Sequence, residues 1–257
     1  MITSTTNNKV KYVRRLQNDR RFRHREKQFV IEGTRWFQEL PHAPHPPTHI
    51  FYTEDWLTQA DNHILLEPYQ NQALPVAPNV MAAMSDTQTP AGILATLPLP
   101  HHPLPTHPRH LLLLDQLKDP GNLGTIIRTA AAAGVDALLL TPHSVDPFNP
   151  KVVRASMGAL LRLPIHTLSL GQLTTYLAPT TCYLADINGT QPYTSPDWTQ
   201  PTTLIIGSEA HGASLQIHKL VDHTLAIPMA NALESLNAAT ATAIILFEAV
   251  RQYHNYQ

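Results

Sequence analysis

The chain has 257 residues, 43% of them apolar, and a formal net charge of -1, which allows one large or two modest domains with a real core. No apolar run approaches the ~18 to 20 residues that span a bilayer, and MITSTTNNKVKYVRRLQ at the amino terminus has no apolar stretch behind its charges. A soluble protein without a secretory leader is expected, with a cytoplasmic location as the default. The single cysteine, Cys182, excludes an intramolecular disulfide framework and a thiol cluster for a structural metal, and is read as a small buried hydrophobe.

In chain order, the first feature is a concentration of charge. Nine of the 18 Lys and Arg residues fall between Lys9 and Lys27: Lys9, Lys11, Arg14, Arg15, Arg20, Arg21, Arg23, Arg25 and Lys27. Only Asp19 and Glu26 are acidic there, which leaves nine basic against 17 acidic residues elsewhere. The run is predicted as a basic helix. Two readings stand side by side: a solvated charged face, and a nucleic-acid surface whose cations displace counterions from phosphates.

A short strand at FVIEG (Phe29 to Gly33), a helix from about Thr34 and a strand at HIFYT (His49 to Thr53) follow, so the first block is a small α/β domain. LPLPHHPLPTHPRH, from Leu97 to His110, cannot continue a helix or join a central strand. It sets a Pro/His-rich linker at 98–110 between a first domain at 1–97 and a second at 111–257. Several of the 15 histidines cluster here and in PHAPHPPTH (Pro41 to His49). None is paired at i, i+4 on a credible helix with a carboxylate, so solvated loop histidines are expected and no metal.

The second block reads as strand LLLLD (Leu111 to Asp115), helix NLGTIIRTAAAAG (Asn122 to Gly134) and strand ALLLT (Ala137 to Thr141). Strands at CYLAD (182–186), TLIIG (203–207) and TLAIP (224–228) and a helix from about Leu236 to Tyr253 complete it. Strand, helix, strand units of this length give a right-handed crossover and a buried parallel sheet with helices on both faces.

Ligands of open parallel sheets bind beyond the carboxyl ends of the strands, where three loops gather polar residues. In DQLKDPGNLG (Asp115 to Gly124), Asn122 and Gly124 open a helix with free N–H groups. Arg128 is placed in its first turns, where it opposes the helix dipole and calls for a compensating partner; a plain turn with an Asn122 cap is the alternative. In GSEAHG (Gly207 to Gly212), Glu209 stands exposed between two glycines, either facing a ligand or capping a helix. In IPMANALESLNAATATAIILFEAV (Ile227 to Val250), Ser235 is the expected cap of the last helix and Asn237 lies in its first turn. Ala238, Ala239, Ala241 and Ala243 admit a close neighbour, either a second helix or a cofactor. G-x-G-x-x-G, Walker A, H-E-x-x-H and G-x-S-x-G sequences are absent, which disfavours a Rossmann dehydrogenase, a P-loop enzyme, a zincin and a serine hydrolase.

DPGNLGTIIRTAAAAG, IIGSEAHG and IPMANALESLNAATATA, in that order, resemble the three motifs of the SpoU/TrmH family of SPOUT RNA methyltransferases. KYVRRLQNDRRFRHREKQFVIEGTRW and MSDTQTPAGILATL are similar to the family's ribosomal-protein-like RNA-binding domain. The resemblance implies a parallel-sheet methyltransferase domain with a carboxyl-terminal trefoil knot, S-adenosylmethionine as cofactor, a homodimer, and transfer of a methyl group to a ribose 2′-hydroxyl of rRNA or tRNA, rRNA being favoured. It implies catalytic roles for Asn122, Arg128, Glu209, Ser235 and Asn237, and cofactor contacts at Gly207, Ile227, Met229, Leu236 and Ala238. RNA contacts are expected from Lys9, Lys11, Arg14, Arg15, Arg20, Arg21, Arg23 and Arg25. Ala238 departs from the valine usual in the family. The alternatives are an inactive RNA-binding or ribosome-assembly factor, and methyl transfer to a base nitrogen, against which the Arg128 and Asn122 pair argues.

Overall fold

The computed structural model describes residues 1–59, 61–230 and 235–254 and divides into two compact units, residues 1–101 with 148–162, and residues 102–147 with 163–257.

The first unit opens with α1 (Asn8–Asn18), capped by the Asn7 side chain, and α2 (Arg20–Glu26), capped by Asp19. The basic run predicted as one helix is two. Asp19 adopts an extended conformation and its carboxylate accepts from the Phe22 N–H at 3.0 Å, so the chain restarts there. Val10, Val13 and Leu16 form the buried stripe of α1; they join Val80, Met81 and Met84 of a later helix in one apolar cluster. Then come β1 (Gln28–Glu32), α3 (Thr34–Glu39), β2 (His49–Tyr52), α4 (Glu54–Leu57), α5 (Asn62–Leu66), β3 (Ala73–Pro75), α6 (Pro78–Met84) and β4 (Ile93–Pro98). The sheet order is β1-β4-β2-β3; β4 runs antiparallel to both β1 and β2, and β3 lies parallel to β2.

The second unit is a seven-stranded sheet in which every pairing is parallel, in the order β7-β6-β5-β10-β8-β11-β9. Its elements are β5 (His110–Leu114), α7 (Pro120–Ala132), β6 (Ala137–Leu140), β7 (Ile165–Thr167), α9 (Leu170–Leu177), β8 (Thr181–Ala185), β9 (Gln191–Pro192), β10 (Thr202–Ile206), α10 (Leu215–His218), β11 (His223–Ala226) and α11 (Ala238–His254). The Leu111–Leu114 and Ala137–Leu140 runs are at most 1% exposed, as expected of central parallel strands covered on both faces. Leu111, Leu113, Leu139 and Ile205 pack with Leu173 and Leu177 of α9 and Ile217 of α10. Alternation turns Leu112, Leu114, Leu138 and Leu140 to the opposite face.

The remaining segment, Phe148–Arg162 with α8 (Pro150–Ser156), clusters with the first unit, although it lies beyond the Pro/His-rich linker in sequence. Its ties are specific: Arg154 pairs with Asp86, and Arg162 with Glu39.

Among the described residues no helix is long and apolar enough to cross a membrane, and no group of three His, Cys, Asp or Glu side chains is placed to hold a metal ion. Cys182 is buried.

Candidate active site

The loops that follow β5 and β10 lie side by side, because these two strands are neighbours in register from Thr202 opposite His110 to Ile206 opposite Leu114. The first loop enters α7 through Asp119, whose carboxylate accepts from the Asn122 N–H at 2.7 Å, and Pro120 supplies a preset φ in the first turn. Asp119 therefore caps the helix, which frees the Asn122 side chain for another task and corrects the alternative of an Asn122 cap. Starting at Pro120 also moves Arg128 into the third turn of α7. The helix dipole acts within the end turns, so the predicted conflict between Arg128 and the dipole does not arise. Arg128 is exposed, and among the described residues it has neither a hydrogen-bond nor an ion-pair partner.

The second loop is a closed hairpin. Ser208 and Gly212 exchange backbone hydrogen bonds of 2.9 and 3.0 Å, and Gly212 has φ +66. A Cβ on Gly207 would lie 2.2 Å from the backbone carbon of Gly212, so backbone meets backbone there and only glycine fits. Glu209 rides at the exposed tip. Asn122 donates from Nδ2 to Glu209 Oε1 at 2.9 Å.

The third motif completes the set. Asn237 donates from Nδ2 to Asn122 Oδ1 at 2.9 Å, while its own Oδ1 accepts from the N–H groups of Ala239 and Thr240 at 2.9 and 3.3 Å. Asn237 is thus the cap of α11; this corrects the expected cap at Ser235, which is exposed and precedes the helix start by three positions. Asn231, Ala232, Leu233 and Glu234 of this motif lie outside the described residues. The result is an unbroken polar chain, from the α11 amino terminus through Asn237 and Asn122 to Glu209. Each amide uses its carbonyl as acceptor and its NH2 as donor, and Glu209 offers only acceptors. Asn122, Glu209 and Asn237 are brought together, and Arg128 stands exposed on the same helix as Asn122.

The expected cofactor residues sit on the carboxyl edge. Ile227 and Met229 follow β11 directly and, like Leu236, are half-buried; Ala238 is buried. Partly exposed aliphatic and thioether side chains suit a flat, weakly polar heterocycle with a sulfur-containing chain. Ala238 and Ala239 belong to α11, which packs along α7, so helix packing accounts for part of the small-residue stripe.

In the first unit, Lys11, Arg14 and Arg21 are exposed on α1 and α2, and so is Arg20. Arg15 and Arg25 place their guanidinium carbons 4.3 and 4.7 Å from the centroid of the Phe22 ring, and each also pairs with an acid, Arg15 with Asp19 at 3.6 Å and Arg25 with Glu26 at 2.8 Å. Lys9 Nζ stands 2.5 Å from His49 Nε2. Arg23 corrects the picture of a uniformly exposed basic face. It is 3% exposed, and its Nη1 donates to the carbonyls of Leu16 and Gln17 at 2.6 and 3.1 Å, which satisfies the end of α1.

The sequence profile of the SpoU rRNA Methylase family matches residues 109–247. The chain belongs to that family. The profile of the MRM3-like substrate binding domain matches residues 7–95. This SpoU family member is 38% identical to an uncharacterized tRNA/rRNA methyltransferase of Synechocystis sp., over 98% of this chain and 93% of that one. It is 30% identical to the 23S rRNA (guanosine(2553)-2'-O)-methyltransferase RlmP of Bacillus subtilis, over 96% of this chain and 97% of that one. Among solved structures it is similar to the SpoU methyltransferase AviRb of Streptomyces viridochromogenes in complex with AdoMet. The TM-score there is 0.88 at 29% identity, covering 96% of this chain and 98% of that one.

Sequence reasoning missed three residues: Asp119 as helix cap, and the pair Asp115 and Thr141 behind the loops. An aspartate directly after four buried leucines was the available signal, since a carboxylate is not kept there without donors.

Proposed function

We propose that this protein is an S-adenosylmethionine-dependent methyltransferase that methylates a ribose 2′-hydroxyl of rRNA in the cytoplasm, acting as a homodimer whose catalytic domain carries the family's trefoil knot. The observation that carries the reading is the chain Asn237, Asn122, Glu209, in which all three motifs of the family meet through 2.9 Å hydrogen bonds. A degenerate binding factor would have no need of it.

Gly207, Ile227, Met229, Leu236 and Ala238 hold the cofactor. When bound, S-adenosylmethionine supplies a methyl group on a positively charged sulfur, already activated for displacement. The residues of the chain then have two tasks, to align the hydroxyl and to help it lose its proton. Asn122, fixed at both ends by Glu209 and Asn237, orients the ribose, and Ser235 adds a hydroxyl beside it. Arg128 provides a positive charge that stabilises the oxygen as negative charge develops on it, and the hydroxyl proton passes to water or to a phosphate of the RNA. The exposed cations Lys11, Arg14, Arg20 and Arg21, with Lys9, Arg15 and Arg25, bind the RNA backbone without reading sequence.

Incubation with methyl-labelled S-adenosylmethionine and rRNA tests the reading: label enters ribose. Label in bases, or none in RNA, refutes it.

A further inference from the structure

We infer that Asp115 is a positioning residue of this site, its buried carboxylate fixing the Glu209 hairpin to the end of β5. The inference rests on the methyl-transfer reading for its effect on turnover, though not for its effect on the hairpin.

Asp115 follows β5 and is 1% exposed. Its Oδ1 accepts from the Thr141 hydroxyl at 2.8 Å and its Oδ2 from the Ser214 N–H at 2.6 Å. Thr141 Oγ1 in turn accepts from the Gln116 N–H at 2.9 Å. The backbone of Asp115 donates to the Ile206 carbonyl at 2.9 Å, and that of Thr141 to the Leu114 carbonyl at 3.1 Å. Asp115 thus joins three strand ends: its carboxylate ties β5 to Thr141 at the end of β6, and its backbone N–H ties β5 to the end of β10.

Ser214 closes the segment that begins at Gly207. Within it the bonds between Ser208 and Gly212 tie the hairpin to itself. The hairpin is therefore held twice: at its tip, where Glu209 accepts from Asn122, and at its base, where Ser214 donates to Asp115. Both holding residues come from the first motif loop, seven positions apart in sequence. If the base is released, the tip bond alone must place Glu209, and an error of ~1 Å in a reacting array costs on the order of a hundredfold in rate.

A carboxylate is required because both of its partners donate. The Ser214 N–H has no other partner among the described residues, and the single hydroxyl proton of Thr141 is given to Asp115 while its oxygen accepts from Gln116. An asparagine has a single acceptor atom, so its NH2 must face one of two donors, leaving buried hydrogen-bonding groups unpaired.

The test is Asp115→Asn, read in two ways. Amide hydrogen exchange over residues 208–214 becomes at least tenfold faster while that of β5 and β10 is unchanged. In methyl transfer, kcat falls at least tenfold with KM for RNA within twofold. The double variant with Glu209→Gln is no more than threefold slower than Glu209→Gln alone, because both act through the same placement. Unchanged exchange overturns the inference, and so do losses that multiply in the double variant. Thr141→Val removes one of the two donors to Asp115, together with the acceptor of the Gln116 N–H, and gives the same pattern in weaker form should Asp115→Asn not fold. If the wild-type protein transfers no methyl group to RNA, the methyl-transfer reading fails; the exchange measurement then decides the clamp by itself.

Discussion

Replacing Asn122 by aspartate isolates the central link of the polar chain. The substitution keeps shape and volume and preserves the oxygen that accepts from Asn237, but it removes the NH2 group that donates to Glu209 Oε1 at 2.9 Å. In its place a second carboxylate oxygen faces the first. A hydrogen bond to a charged group contributes about 1.5 to 3 kcal/mol, and the exposure of Glu209 puts this one at the lower end. Two unit charges at that distance repel by about 1.4 kcal/mol in a water-like dielectric. Together the change costs about 3 kcal/mol in the placement of Glu209, or roughly a hundredfold in turnover. The fold should not suffer, because residue 122 lies in the first turn of α7, where an added negative charge is worth about 0.3 to 1 kcal/mol in favour of the helix. The assay is incorporation of labelled methyl groups into rRNA, with thermal melting of the same samples. A variant that turns over within threefold of wild type refutes the reasoning, and so does a loss of activity that tracks a fall in melting temperature.

Arg128→Ala is expected to lower kcat by about two to three powers of ten, the usual cost of removing one electrostatic stabiliser, while cofactor affinity measured by calorimetry stays within a fewfold; near-normal turnover contradicts the assigned role. Neutralising the exposed Lys11, Arg14 and Arg21 lowers RNA affinity and flattens the slope of log affinity against log salt by about 0.7 to 0.9 for each phosphate no longer neutralised, with unchanged melting. Arg23→Ala does the reverse: it strips the Leu16 and Gln17 carbonyls of a charged donor and destabilises by about 3 kcal/mol, read by denaturant titration. Burial pushes the pKa of His110 down, with Arg109 adding to the effect and Asp136 opposing it. His110 thus resists protonation when folded but accepts it when unfolded, below the ordinary value of about 6.5. Its contribution is present above that pH and is lost as pH falls. Urea midpoints at pH 7.5 and pH 5 should therefore differ more for wild type than for His110→Gln, and equal differences would exclude the group.

Strands such as Leu111–Leu114 and Thr202–Ile206 were legible because a central parallel strand is buried on both faces and reads as an unbroken apolar run. Shorter edge strands, Ile165–Thr167 and Gln191–Pro192, carry no such run and were not anticipated. The break at Asp19 was hidden by uniform charge on either side, although an aspartate inside a basic run is a cap signal. The three motif loops and most of their polar residues could be picked out, but their linkage could not. Sequence places Asn122, Glu209 and Asn237 in separate loops and says nothing of which amide donates to which oxygen. Arg23 shows the same limit from the other side: among nine basic residues in one run, only three-dimensional packing reveals that this one is turned inward onto helix carbonyls.

The bond from Asn237 to Asn122 spans 115 positions of the chain. Strands β5 and β6 are joined by one helix and can pair as soon as both have left the ribosome, whereas the last polar link waits for the cap of the final helix. Contacts between distant positions carry the greater loop-closure cost and form late. A nascent or carboxyl-terminally truncated chain can therefore own an ordered sheet and a folded first unit and still lack a working centre. Chemistry begins only once that helix cap is in place.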